Sequence, residues 1–151
     1  MRRSGMDSPT AESPNLESPT LLCIDDRAQV LALRKAALEQ QGYSVKVATC
    51  SYAAIKTLEE NEIAAVVLEY KQEGMDAEAV AYHIKHRFPR VPVILVSAYA
   101  EMPQRILWLV DEYVLKSELP HGLVRILRSQ VQVARKATRS EERGMVSAMA
   151  A

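Results

Sequence analysis

The chain has 151 residues, of which 48% are hydrophobic and 25% are charged, and this composition predicts one globular domain with a single core. Basic and acidic residues balance at 19 each, so no net positive field indicates nucleic acid or an anionic membrane, and we expect neither as a direct partner. No apolar run approaches the roughly 18 residues of a membrane-spanning helix, and no hydrophobic stretch follows Arg2 and Arg3 as it would in a secretory signal, which favours a cytoplasmic location.

The two ends of the chain differ from the part between them. Residues 1–19 carry a loose repeat of serine followed by proline, a composition that cannot bury a core, and we expect a disordered extension there. A phosphorylated or docking tail is the functional alternative. Residues 131–151 carry an excess of basic residues followed by small ones, for which we expect a helix end and a flexible tail, or a weak basic contact surface. The domain itself is expected to span residues 20–130.

The domain begins with a short apolar run, Thr20–Ile24, followed by two aspartates. Such a run is typical of a buried parallel strand whose carboxyl end opens onto a site. A helix is predicted over residues 27–41, with Gly42 as its C-cap. The core-facing stripe of this helix is expected to contain Val30, Leu33 and Ala37, with Leu31 and Leu38 alongside. Cys23 and Cys50 are interpreted as small buried apolar residues, with a disulfide as the alternative.

The same alternation of strand and helix continues to the end of the domain. Further strands are predicted at 44–48, 64–68, 91–96 and 113–115, and further helices at 52–60, around Ala77, Val80 and Ile84, at 103–109, and over a last segment with Leu119, Leu123, Ile126 and Leu127 on one face. Five strands alternating with five helices predict a parallel sheet with helices on both faces.

Ligands in such folds bind at the carboxyl ends of the strands. The polar residues predicted at those ends are Asp25, Asp26, Glu69, Ser97 and Lys116. The sequence thus predicts three carboxylates, a hydroxyl and an ammonium group at one rim of the sheet.

Five segments, at 21–26, 41–45, 66–76, 91–99 and 112–116, resemble in order and spacing the receiver domain of two-component response regulators. The resemblance covers roughly residues 20–130. It implies a flavodoxin-like, doubly wound sheet with strand order 2-1-3-4-5. It also implies a role in signal transduction, with a histidine kinase or another signalling protein as partner.

The resemblance assigns roles to the rim residues. In the family, paired acidic residues hold Mg²⁺, and an aspartate on the third strand accepts a phosphoryl group from a histidine kinase. The metal ligands implied here, for a weak Mg²⁺ site, are Asp25, Asp26, Glu69 and the carbonyl of Lys71. The phosphate-pocket and switch residues implied are Ser97, Tyr113 and Lys116.

Position 69 departs from the family, because Glu69 stands where the phosphate-accepting aspartate is expected. One additional methylene moves the carboxylate by more than an ångström, and a misplacement of about 1 Å can cost on the order of a hundredfold in rate. We therefore expect weak phosphorylation or none. The longer side chain could also partly imitate the phosphorylated state within reach of Ser97 and Lys116, or simply form a salt bridge with Lys116 that leaves the pocket inert. Both interpretations stay open.

Other departures concern the loops and one surface. Glu73, Ala77 and Ser117 stand where the family commonly has proline or glycine, and the short segment from Ser97 to Lys116 predicts a reduced fourth helix. The family implies a homodimer through the face formed by helix 4, strand 5 and helix 5. Trp108 falls in this region; core packing is expected, whereas exposure would indicate an interface anchor.

Three functional hypotheses follow. The first is a stand-alone, atypical receiver that acts by protein–protein contact without being an enzyme, since the residues after 130 are too few for a helix-turn-helix module. The second is a conventional phosphorylatable receiver of a phosphorelay. The third is a small Mg²⁺-dependent phosphohydrolase that uses Asp25, Asp26 and Glu69 around the metal.

Overall fold

The computed structural model describes residues 18–150, with side chains to residue 132 and at 141 and 143–145. Its strands are β1 (Thr20–Ile24), β2 (Ser44–Ala48), β3 (Ala65–Glu69), β4 (Val93–Ser97) and β5 (Glu112–Leu115). Its helices are α1 (Ala28–Glu39), α2 (Ser51–Glu60), α3 (Ala77–Arg87), α4 (Gln104–Leu107) and α5 (His121–Ala150), with a 3₁₀ turn at Lys116–Glu118. All strand pairs are parallel and the order is β2-β1-β3-β4-β5, which confirms the predicted fold.

The two faces of the sheet form two separate layers of core, because successive side chains of a strand point to opposite faces. On one face, Leu22, Ile24, Val66 and Leu68 pack against α2, α3 and α4. On the other face, Leu21, Cys23, Ala65 and Val67 pack against α1 and α5. Glu69 continues the alternation of Ala65 and Val67, so its side chain is directed toward the layer that contains α1.

Helix α1 buries a different stripe from the one predicted. Leu31 and Leu38 are buried as expected, but Leu33 is exposed, so its assignment to the core stripe was wrong. The residue between the two buried leucines, Arg34, lies within the buried face instead, at the i, i+3, i+7 spacing of one helical stripe. The helix is therefore rotated relative to the prediction, and a cation rather than a leucine enters the core. Gly42 follows it at a φ of 97°, a left-handed conformation that glycine adopts without steric cost.

Two further side chains correct the sequence interpretation. Cys50 is exposed, not buried, and its sulfur accepts a hydrogen bond from the Ala53 N–H as the N-cap of α2. Cys23 is buried as expected, and both thiols are free. Trp108 is 75% exposed at the end of α4, so the expected core packing of this ring was wrong. Helix α4 is a single turn of four residues, as the short segment predicts.

The structure describes part of each segment that flanks the domain. Residues 1–17 of the proposed extension lie outside the described part of the chain, whereas Ser18 and Pro19 contact the domain: the Ser18 hydroxyl donates to the Gly42 carbonyl and the Pro19 carbonyl accepts from the Ser44 N–H. The last helix continues to Ala150, through the segment for which we expected a helix end and a flexible tail. None of the helices in the described residues has the length and hydropathy needed to cross a membrane.

Candidate functional site

The polar residues predicted at the carboxyl ends of the strands lie at one rim of the sheet. Asp25 follows β1, Glu69 ends β3, Ser97 ends β4 and Lys116 follows β5. Parallel strands direct their carboxyl ends to the same edge, which explains how residues so far apart in sequence come together. Asp25, Glu69 and Ser97 are completely buried, so their polar groups depend on protein partners.

Glu69 is paired with three cations. Its Oε1 lies 3.2 Å from Lys116 Nζ, 3.9 Å from Arg34 Nη2 and 4.0 Å from Arg27 Nη2. Its other oxygen, Oε2, accepts a hydrogen bond of 3.3 Å from the Lys71 N–H. A buried carboxylate is costly unless it is paired, and here the charge is shared by two cations from the start and the buried face of α1 and one from the turn after β5.

Arg34 is the most buried of these cations, since its side chain is only 8% exposed. It reaches Glu69 because it projects from the buried face of α1 toward the layer into which Glu69 points. One of its nitrogens, Nη1, is buried and has no hydrogen-bond partner within the described part of the chain. The guanidinium group is therefore held in the core chiefly by its charge interaction with Glu69.

Arg27 is held against the first aspartate of the acidic pair. Its backbone N–H donates to Asp25 Oδ1 at 2.9 Å, its Nε lies 3.3 Å from the same oxygen, and its Nη2 lies 3.4 Å from Asp25 Oδ2. These contacts raise the pKa of Arg27, with the hydrogen bond to Asp25 as the main cause. Because Nη2 is also the atom nearest Glu69, the guanidinium group bridges Asp25 and Glu69.

Asp26 points to a different part of the rim. Its Oδ2 accepts hydrogen bonds from the backbone N–H groups of Glu73 at 2.6 Å and Gly74 at 2.8 Å. The bond from Gly74 is the largest cause of a lowered Asp26 pKa, because N–H donors stabilise the ionised carboxylate. Asp26 thus anchors the loop that follows β3.

The remaining predicted residues surround the pocket without contacting Glu69 through their side chains. The Ser97 hydroxyl accepts a hydrogen bond of 3.0 Å from the Tyr99 N–H. The Lys71 ammonium lies 5.9 Å from the centre of the Tyr99 ring. The Tyr113 hydroxyl is buried and lacks a hydrogen-bond partner among the described residues. Of the two contacts considered for Glu69, the structure contains the ion pair with Lys116. The Ser97 hydroxyl instead accepts its hydrogen bond from the Tyr99 N–H.

Arg27 and Arg34 were not among the predicted site residues. The signal for Arg34 was a charged residue at the spacing of a buried helical stripe, between Leu31 and Leu38. The signal for Arg27 was its position directly after the acidic pair, where its own backbone N–H can reach Asp25. Both residues are part of the charge balance of the pocket.

Comparison with known proteins identifies the family. A family model described as response regulator receiver domain matches residues 21–128. The chain belongs to this family. Among curated relatives, a putative response regulator NtrX-like protein of Rickettsia bellii is 35% identical over 81 residues, which make up 52% of this chain and 17% of that protein. The transcriptional regulatory protein PrrA of Mycobacterium bovis is 29% identical over 66% of this chain and 44% of its own length. This receiver chain thus spans less than half the length of these curated relatives.

Solved structures show the same fold. The response regulator TrrA of Thermotoga maritima, solved in complex with Mg²⁺-BeF, is 26% identical and superposes with a TM-score of 0.68 over 74% of this chain and 98% of its own. A CheY-like receiver domain protein of Methanospirillum hungatei superposes with a TM-score of 0.71 at 20% identity, covering 79% of this chain and 98% of its own.

The donor set of this receiver does not fit the Mg²⁺ that the family implies. Both oxygens of Asp25 contact the guanidinium group of Arg27, and Asp26 Oδ2 is occupied by two backbone N–H groups. Among the side chains that the structure describes, no group of three or more His, Cys, Asp or Glu is arranged to hold a metal ion. The joint metal site expected of Asp25, Asp26 and Glu69 stays a prediction, and in this arrangement cationic or backbone donors contact both oxygens of Asp25 and Glu69 and one oxygen of Asp26.

Proposed function

We propose that this chain is an atypical receiver that acts in signalling by protein–protein contact, with phosphorylation weak or absent. The observation that carries the proposal is the buried Glu69, whose carboxylate is paired with Lys116, Arg34 and Arg27. A carboxylate that accepts a phosphoryl group must offer a free oxygen in line with the donor, and it needs nearby cations for the charge of the incoming group. Here the cations are already engaged.

The contacts favour a pocket in which Glu69 Oε1 is paired with cations, without a hydrogen bond among the described residues, over a standing imitation of the phosphorylated state. A phosphoryl group carries about −1.5 to −2 charges and three acceptor oxygens, and it would engage several donors at once. Glu69 pairs with Lys116, whereas the Ser97 hydroxyl accepts a hydrogen bond from the Tyr99 N–H and forms none with Glu69 among the described residues. We therefore infer that Glu69 stabilises one conformation of the rim through its ion pairs and the hydrogen bond from the Lys71 N–H.

The alternatives have less support from the same contacts. A conventional phosphorylatable receiver would need Glu69 to leave three cations before it could attack a phosphodonor. A metal-dependent phosphohydrolase would need Asp25 and Glu69 to share a metal, whereas both contact Arg27.

For the contact surface we propose the face formed by α4, β5 and α5. Trp108 is 75% exposed there, and an exposed tryptophan is a frequent anchor of protein interfaces. The partner is a histidine kinase or another signalling protein in the cytoplasm, or a second copy of this chain, rather than nucleic acid or a membrane. Sedimentation of the wild type and of Trp108→Ala distinguishes a second copy of this chain from a different protein as the partner. A homodimer through this face requires a monomer–dimer equilibrium that Trp108→Ala weakens.

The decisive experiment for the proposal is phosphorylation by a small-molecule donor with Mg²⁺ present, followed by intact mass. The wild type should gain no phosphoryl group. Glu69→Asp, incubated in parallel, restores the residue type that the family uses and tests whether the rest of the pocket can accept one. A wild-type chain that gains one phosphoryl group would refute the proposal and support a conventional phosphorylatable receiver.

A further inference from the structure

The acidic rim of this receiver is balanced by its own side chains. Its three carboxylates are Asp25, Asp26 and Glu69, and its three cations are Arg27, Arg34 and Lys116. Each cation lies within 4.0 Å of a carboxylate oxygen of this set. The formal charge of the six groups is therefore zero, and a divalent cation would enter a site without net negative charge.

Arg27 contacts the carboxylate oxygens that a divalent metal ion would need as ligands. Its guanidinium group lies 3.3 Å and 3.4 Å from the two oxygens of Asp25 and 4.0 Å from Glu69 Oε1. A guanidinium group has donors in a planar fork and keeps its single positive charge at any physiological pH, so it can contact two carboxylates at once. A metal ion would have to displace it from Asp25 to reach the same oxygens.

We propose that the guanidinium group of Arg27 takes the place of the divalent cation in this receiver, so that the wild-type site excludes Mg²⁺ and Mn²⁺. Arg34 supports this arrangement from the core side, because it brings a second permanent positive charge to the same oxygen of Glu69. Removing the Arg27 side chain leaves three carboxylates and two cations, and it frees Asp25 Oδ2, whereas Oδ1 keeps the hydrogen bond from the backbone N–H of residue 27. The proposal concerns cation binding and does not depend on whether Glu69 accepts phosphate.

The test is Mn²⁺ binding at millimolar Mn²⁺. Binding is measured as the loss of the free-ion signal in electron paramagnetic resonance. Wild type, Arg27→Ala and Arg87→Ala are compared. Arg87 is the matched control, because it is a half-exposed arginine paired with one carboxylate, Glu59, away from the rim. Arg27 is itself 51% exposed, so its replacement should leave the fold intact, which circular dichroism and the melting temperature check.

We expect Arg27→Ala to bind Mn²⁺ at least about tenfold more tightly than the wild type, since one positive charge next to the ligands has been removed. Arg87→Ala should bind as poorly as the wild type. Adding Asp25→Asn to Arg27→Ala should abolish the gain, because Asp25 supplies the freed oxygen.

Three outcomes would overturn the proposal. If the wild type binds Mn²⁺ as tightly as Arg27→Ala, the Arg27 guanidinium group does not exclude the divalent cation. Failure of folded Arg27→Ala to gain binding would show that other groups keep the cation out. A gain that survives Asp25→Asn would place the new binding outside this site. None of these outcomes measures phosphoryl transfer, so the proposed function stands or falls separately.

Discussion

Replacing Glu69 by leucine should leave the charge of Arg34 buried in the core without its counter-charge. At an effective dielectric constant of 20, the gross attraction of Glu69 is about 4 kcal/mol to Arg34 and about 5 kcal/mol to Lys116 at the observed separations of 3.9 Å and 3.2 Å. These gross values are largely offset by the desolvation of the charges. The net cost of the substitution depends on which cation can return to water.

The three cations differ in this respect. The side chains of Arg27 and Lys116 are 51% and 33% exposed, so water can solvate them when Glu69 is removed. Arg34 is only 8% exposed and has no such route. Breaking a buried ion pair costs about 3–5 kcal/mol because it leaves an uncompensated buried charge. Since only one of three cations is stranded, we expect Glu69→Leu to lower the free energy of unfolding by about 3 kcal/mol.

Urea unfolding of four variants tests this reasoning. Arg34→Leu should be nearly neutral or stabilising, because Glu69 keeps Lys116 and Arg27 as partners while a leucine fills the core. The double variant should recover about 2 kcal/mol of the loss in Glu69→Leu, since no buried cation remains. Glu59→Leu is the matched control: its pair with Arg87 is shorter, at 2.6 Å, but exposed, so it should cost at most about 1 kcal/mol.

Two results would refute this account of the pocket. Glu69→Leu that costs no more than Glu59→Leu would show that burial of the charge cluster carries no penalty. A double variant as unstable as Glu69→Leu alone would show that Arg34 is not the stranded group.

Three further predictions follow from the same structure. Lys116→Ala should cost about 1 kcal/mol in urea unfolding, less than Glu69→Leu, because the other cations still pair with the same oxygen; an equal or larger cost would contradict this. Because the pKa of Asp26 is lowered in the fold, ionised Asp26 contributes stability that is fully present above its ordinary pKa of 3.8 and is lost as the pH falls through the lowered pKa. The stability difference between wild type and Asp26→Asn should therefore shrink as the pH falls below 3.8. A difference that stays constant would argue against the hydrogen bonds from Gly74 and Glu73. Native protein should be alkylated by iodoacetamide at exposed Cys50 and not at Cys23, whose thiol pKa burial raises to about 12; peptide mapping that finds modified Cys23 in folded protein would contradict its burial.

The fold could be predicted from the sequence because its strands are short continuous apolar runs. Leu21–Ile24 and Val66–Leu68 are completely buried, and runs of this kind, separated by helical stripes, have few topologies other than a doubly wound parallel sheet. The strand ends then place Asp25, Glu69, Ser97 and Lys116 at one rim. This part of the site follows from topology alone.

The pairing within the rim could not be predicted in the same way. Helix α1 offers two overlapping apolar stripes, and hydrophobicity favours the one with Leu33 over the one with Arg34. Burial of Arg34 becomes favourable only through Glu69, which is distant in sequence and joins it only in the folded chain. The exposure of Trp108 has a related cause, since α4 is a single turn and buries Ile106 instead. Local pattern carries no information about such tertiary choices.

The central proposal is that the pocket of this receiver is paired with its own cations, so that phosphorylation is weak or absent. Amide NMR spectra of the wild type with Mg²⁺ and beryllofluoride, a mimic of the phosphoryl group, test it most directly, and TrrA shows that a receiver can form such a complex. A Glu69→Asp/Arg27→Ala variant serves as the reference with an acceptor aspartate and a freed cation site. The account predicts that the wild-type resonances of Lys71, Ser97 and Lys116 stay unchanged. Saturable shifts of these three resonances in the wild type would contradict it.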